Sequence, residues 1–141
     1  MAVNLPLLAY KRVPFLDPDG ATLVIIGPNW SGAAFKMDLR QNPGDTGTAI
    51  LSITGATAGS QGISATYDAA YAYVDAQGQP ATAPATKVMI QIDEATIEGL
   101  DLGTPTDKPL VLHYDLHITP SGEPKRVYCE GTFTIKPGVT I

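Results

Sequence analysis

Leu110-Val111-Leu112-His113-Tyr114-Asp115-Leu116-His117-Ile118-Thr119 is the longest alternating run in the chain, and its reading decides the fold. In an extended strand, Leu110, Leu112, Tyr114, Leu116 and Ile118 share one face. His113, Asp115, His117 and Thr119 share the other. A helix would scatter the same apolar set around its axis. Pro120-Ser121-Gly122 follows as a turn. Beyond it Val127, Cys129, Phe133 and Ile135 alternate with Tyr128, Glu130, Thr132 and Thr134. Two amphipathic strands across a short turn make a hairpin.

The period of two recurs upstream. Phe35, Met37 and Leu39 alternate with Lys36, Asp38 and Arg40, and Ala49, Leu51 and Ile53 with Thr48, Ser52 and Thr54. Val88, Ile90 and Ile92 alternate with Lys87, Gln91 and Asp93. Thr22 to Ile26 and Ile63 to Tyr67 are shorter apolar runs. Asp17-Pro18-Asp19-Gly20, Gly27-Pro28-Asn29 and Asn42-Pro43-Gly44-Asp45 supply turns between them. Glu94 to Glu98 predicts one short helix, with the Asp93 carboxylate as its cap and Gly99 or Gly103 closing it in the left-handed conformation. The expectation is an all-β fold: an Ig-like antiparallel β-sandwich of about seven strands with one short helix. Residues 1–16, apolar but interrupted by Pro6 and Pro14, read as an extended arm, and 17–141 as the sandwich domain. Residues 75–86 have no apolar face and read as a long exposed loop.

Composition narrows the function. Of 141 residues, 14 are Gly and 12 Pro, which excludes a helical bundle. A hydrophobic fraction of 44% with 16% charged excludes a disordered chain. No apolar run reaches the roughly 18 residues of a membrane span. A net charge of −5, with Lys and Arg thinly spread, excludes a nucleic-acid binder. The single Cys129 excludes an internal disulfide framework, and Met1 to Pro6 lacks the features of a secretory leader. Asn29-Trp30-Ser31 is formally a glycosylation sequon, set aside without such a leader.

Candidate chemistry is sparse. His113-x-Asp115-x-His117 offers metal-ligand types, but on a strand the two His lie about 13 Å apart, too far to meet well at one ion. It reads as a polar face. Asp17-Pro18-Asp19-Gly20 starts like a calcium loop but lacks the later ligands, and reads as a turn. Cys129 reads as a buried hydrophobe. Gly59-Ser60-Gln61-Gly62 has neither the Lys nor the helix of a phosphate loop. The carboxylates look dispersed, with no pair held for acid–base work. Trp30 reads as a plug at one end of the sandwich or as an interface residue. Tyr67, Tyr71 and Tyr73 read as a sheet margin or as an interface.

Several stretches resemble a known family. Trp30-Ser31-Gly32-Ala33-Ala34-Phe35-Lys36-Met37-Asp38-Leu39-Arg40 resembles the opening strand of small structural proteins of tailed bacteriophages and prophages. Lys87 to Thr96, Leu110 to Thr119 and Gly131 to Thr140 are similar to the same proteins. The related domain stands at the N-terminus of some phage baseplate upper proteins and fibre-associated proteins. The likeness covers about residues 20 to 141 and is one of strands and turns; 1–16 and 75–86 lie outside it.

The resemblance implies a non-enzymatic virion structural protein, a tail-tip or baseplate component made in the host cytoplasm. It would dock neighbouring tail or baseplate proteins or fibres and form a homo-oligomer in the particle, with no catalytic residue, cofactor, metal, nucleic acid or membrane involved. The expected interface residues are Leu5, Leu7 and Leu8, laid in a groove of the next subunit, with Trp30, Tyr67, Tyr71 and Tyr73. The alternatives are a head-surface decoration protein, or a glycan-binding module taking host-surface polysaccharide on Trp30 and the tyrosines. A metal-dependent enzyme using His113, Asp115 and His117 is a third reading.

Overall fold

The computed structural model describes residues 3–16, 22–100 and 107–138. Among them are nine strands and one helix: β1 (Val3–Asn4), β2 (Leu7–Tyr10), β3 (Thr22–Ile26), β4 (Ala34–Arg40), β5 (Leu51–Thr54), β6 (Gly62–Val74), β7 (Pro80–Gln91), α1 (Glu94–Glu98), β8 (Leu110–Thr119) and β9 (Arg126–Lys136). The expected turn at 17–20 and the alternative helix end at Gly103 lie outside the described residues.

The strands form a sandwich. One sheet runs β1-β9-β8-β4-β5, with β2 also on β9; the other runs β3-β7-β6. From β3 onward this is the strand order of an immunoglobulin-type sandwich. The alternation fixes what is buried. Met37, Leu39, Leu112, Leu116, Ile118 and Phe133 are wholly buried from the first sheet, and Val88, Ile90 and Ile92 from the second.

Ala49 falls just before β5 rather than within it. The strands and the helix depart from the sequence reading in five further places. The N-terminal segment is not a free arm over residues 3–16. Its strands β1 and β2 add to β9 in parallel, Leu7 opposite Phe133 and Ala9 opposite Ile135. Leu7, Ala9 and Phe15 join the core, where the Phe15 ring meets Phe133 edge-on at 5.1 Å. Phe15 also exchanges two backbone hydrogen bonds with Ile92, which ties the segment to the opposite sheet.

The second departure is at 75–86. Only Asp75–Gln79 forms a turn, and β7 begins at Pro80. The stretch lacks an apolar face because it pairs with the far half of β6 beyond the core, where Ala81 and Ala83 are half-buried opposite Tyr73 and Tyr71, and Pro80, Thr82 and Pro84 are exposed. Third, a register shift at Leu116/His117 sets Val127 opposite His117, off the inner row that Cys129, Phe133 and Ile135 occupy. Fourth, the Asp93 side chain does not cap α1. Its backbone carbonyl accepts from Thr96 and Ile97, while its carboxylate accepts from Gln91 Nε2. Fifth, Gly99 ends α1 with φ −76°, in the right-handed region. Lys11 Nζ donates to the Ile97 and Glu98 carbonyls, so a cation closes the negative end of the helix.

Trp30 is held by a buried hydroxyl. Thr86 is wholly buried; its Oγ1 accepts from the Trp30 N–H at 2.9 Å and donates to the Pro28 carbonyl at 2.8 Å. Thr86→Val keeps the shape but leaves both partners unsatisfied. The expected loss is about 1–3 kcal/mol, read by urea unfolding.

Candidate functional site

Three surfaces stand out, each built by strand pairing. The first is a polar groove on the outer face of the larger sheet. Cross-strand register places Asp38 opposite Asp115, and Asp115 opposite Glu130. Directly opposed residues share a face with Cβ atoms about 4.5–5.5 Å apart, so three carboxylates that look dispersed in the sequence form one row. Asn4 extends the row on β1. The groove encloses about 510 Å³, with Arg40, His113 and Asp45 also on its walls.

Polar side chains lie beside two members of this row. Asp38 accepts from Ser52 Oγ at 2.6 Å and lies 3.6 Å from Arg40 and 3.9 Å from Lys36. His117 Nε2 lies 3.2 Å from Asp115. His113, Asp115 and His117 thus share one face, as their spacing predicts. Among the described residues no three His, Cys, Asp or Glu side chains converge as metal ligands. The Asp115 side chain is 44% exposed, and such open pairs contribute little, about 0–1 kcal/mol each. The groove is an open, mixed-charge surface able to form hydrogen bonds.

The second surface is a projecting ribbon. β3 covers β7 only as far as Ala85, opposite Ile26. From Pro84 outward the β6–β7 hairpin runs on as two strands, for roughly 17 Å before its turn. Asp75 orders the tip: its carboxylate accepts from the Gln77 and Gln79 N–H groups, both at 2.9 Å. Between Thr66 and Pro84 the charged residues are Asp68 and Asp75, among Ala, Thr, Pro and tyrosines.

A bulge divides these tyrosines. Tyr67 pairs with Thr86, whereas Tyr71 and Tyr73 pair with Ala83 and Ala81, because the register shifts between Asp68 and Tyr71. Thr86 and Ala83 point to opposite faces of β7. Tyr71 and Tyr73 therefore lie side by side, about 7 Å apart, and Tyr67 lies on the other face. Trp30 is elsewhere. Its ring packs edge-on to Tyr128 at 6.5 Å, and the Arg126 guanidinium sits 5.3 Å from its centroid. The expected grouping of Trp30 with the three tyrosines does not form on one face.

The third surface is apolar. Leu8 opposes Thr134, and Thr134 opposes Val111, all on the outer face of the larger sheet. Leu8 is 41%, Tyr10 45% and Val111 47% exposed. Tyr10 opposes Lys136, whose side chain is exposed beside them. Of the three leucines expected at an interface, Leu8 alone is on this surface. Leu7 is in the core and Leu5 is half-buried against it. The alternation of β2 on β9 decides this, and the Pro-interrupted sequence gave no sign of the pairing.

The one cysteine is sealed in. Cys129 is 1% exposed, with the Tyr114 hydroxyl 3.8 Å from its Sγ. Burial pushes the thiol up, the Asp115 and Glu130 charges push the same way, and the Tyr114 hydrogen bond only partly offsets them. Burial, with Cys129 adding to it, raises the Tyr114 hydroxyl well above the ordinary tyrosine range, so it stays a donor, to the Leu5 carbonyl. Cys129 is expected to resist iodoacetamide in the native chain and to react fully once urea unfolds it, as mass spectrometry would show.

No known protein family matches the chain, and no curated protein is significantly similar to it.

Proposed function

We propose that this chain is a non-enzymatic structural component of a tailed-phage virion, placed at the tail tip or baseplate, which docks neighbouring subunits or fibres through its outer surfaces. The observation that carries this reading is the ribbon. A two-stranded hairpin is at best marginally stable alone in water. One that projects from its core with few charges and paired tyrosines is suited to contact another protein. The strand-and-turn resemblance of Trp30 to Arg40, Lys87 to Thr96 and Leu110 to Thr119 supports the same assignment.

The test is direct. Particles purified from a lysate of the encoding phage or induced prophage should contain the chain at a fixed copy number by quantitative mass spectrometry. Gold-labelled antibody should mark the tail end. Label on the head would favour the decoration reading, and absence from intact particles would overturn the proposal.

A further inference from the structure

We infer that copies of this chain associate head to tail, the ribbon tip of one copy seated on the Leu8, Tyr10 and Val111 patch of the next. The inference rests on the structural-component reading and names the partner of its ribbon.

The two surfaces lie at opposite ends of the sandwich. β7 starts at the ribbon tip and ends at Gln91, just before α1. The patch sits at the α1 end, because Lys11, next to Tyr10, reaches the last carbonyls of that helix. Within one copy the strand axis separates them. A second copy displaced along that axis, and offset toward the outer face of the larger sheet, brings its patch against the ribbon that projects from the first.

Their chemistry is complementary. The ribbon offers half-buried Tyr71 and Tyr73 on one face and Val74, 68% exposed, on the other, and no cation occurs from Gly62 to Thr86. The patch offers aliphatic and aromatic surface with Lys136 beside Tyr10, facing a tip whose charges are Asp68 and Asp75. The carboxylates of Asp93, Glu94 and Glu98 also lie at that end, on and beside α1, so the complementarity is the local one of Lys136 with Asp75. The net charge of −5 keeps copies apart elsewhere on their surfaces, so a contact lacking like-charge pairs is favoured.

The contact joins two different surfaces, so a pair of copies keeps one ribbon and one patch free and the association propagates into a ring or a stack. A single contact is small against the roughly 800 Å² per partner of a stable interface. It should be weak in solution and strengthened in a particle, where neighbours are held close.

Sedimentation of the intact chain tests this, with surface variants whose native circular dichroism is checked first. The wild type should form a concentration-dependent series that passes beyond dimers. Leu8→Asp/Val111→Asp removes the patch, and Tyr71→Ser/Tyr73→Ser removes the ribbon anchors. Each should weaken association about tenfold or more, as loss of central apolar anchors does. Mixed in equal amounts, the two variants should form a heterodimer and stop there, since one still has its ribbon and the other its patch. Three results would overturn the inference: a wild type monomeric at about 1 mM, a wild type that stops at dimers through paired β6 edges, or a mixture that makes no heterodimer. The structural reading stands or falls separately, on whether the chain is found in particles.

Discussion

Phe133→Ala is expected to destabilise the sandwich by about 3–5 kcal/mol, the usual range for a wholly buried phenylalanine. Phe133 sits on β9 where three parts of the chain meet. It opposes Leu112 on β8 and Leu7 on β2, and its ring meets Phe15 edge-on. Truncation opens a cavity beneath the N-terminal strand and removes the partner of Phe15, which bridges to Ile92 in the other sheet. Both sheets therefore loosen together. Against a typical stability of about 5–15 kcal/mol the loss is large, and the melting temperature should fall by roughly 10–15 °C. Calorimetry would check it, and a fall below about 3 °C would show that β2 and Phe15 are not packed on Phe133 as described.

The second large effect is at Gly62, where β6 begins. Its φ is +137°, a conformation that side chains rarely adopt. A methyl group there would lie 2.6 Å from both the Ala56 Cβ and the Thr54 carbonyl oxygen. Neither is the end of a flexible side chain, so backbone must move. Strain and crowding each contribute about 1–3 kcal/mol, and Gly62→Ala should cost about 2–6 kcal/mol in urea unfolding. The local readout is hydrogen exchange at the Ala56 N–H, which donates to the Ile63 carbonyl at 2.8 Å and should lose protection first. By contrast, Gly78→Ala in the ribbon turn meets nothing within 4 Å, and it carries only the strain of φ +80°.

The legible parts of the fold are those where one strand buries one face. β4, β8 and the inner part of β7 show their alternation plainly because polar residues occupy most outward positions, with Ala34, Met89 and Val111 the exceptions. The ribbon was not legible, since a strand with neither face buried has no alternation to display. The bulge at Asp68–Tyr71 was equally hidden, and it alone reverses the faces of Tyr71 and Tyr73 relative to Tyr67. The pairing of the N-terminal segment is hidden for another reason. Its Pro6 and its brevity suit an arm as well as an edge strand, and what draws it in is a distant feature, the accepting edge of β9.

The candidate surfaces follow the same division. That His113, Asp115 and His117 share a face is a local property of extended backbone, and the sequence alone determined it, as it did the all-β class and the identity of most core residues. Which carboxylates become neighbours depends on register between strands far apart in the chain. Asp38, Asp115 and Glu130 form a row only because β4, β8 and β9 are aligned by the burial of Met37, Leu116 and Cys129 beneath them. The opposition of ribbon and apolar patch is likewise a matter of strand direction and sheet order. Local patterning is written in neighbouring residues. Proximity across the sheet and polarity along it arise only when the apolar faces close on one another and fix one register out of many.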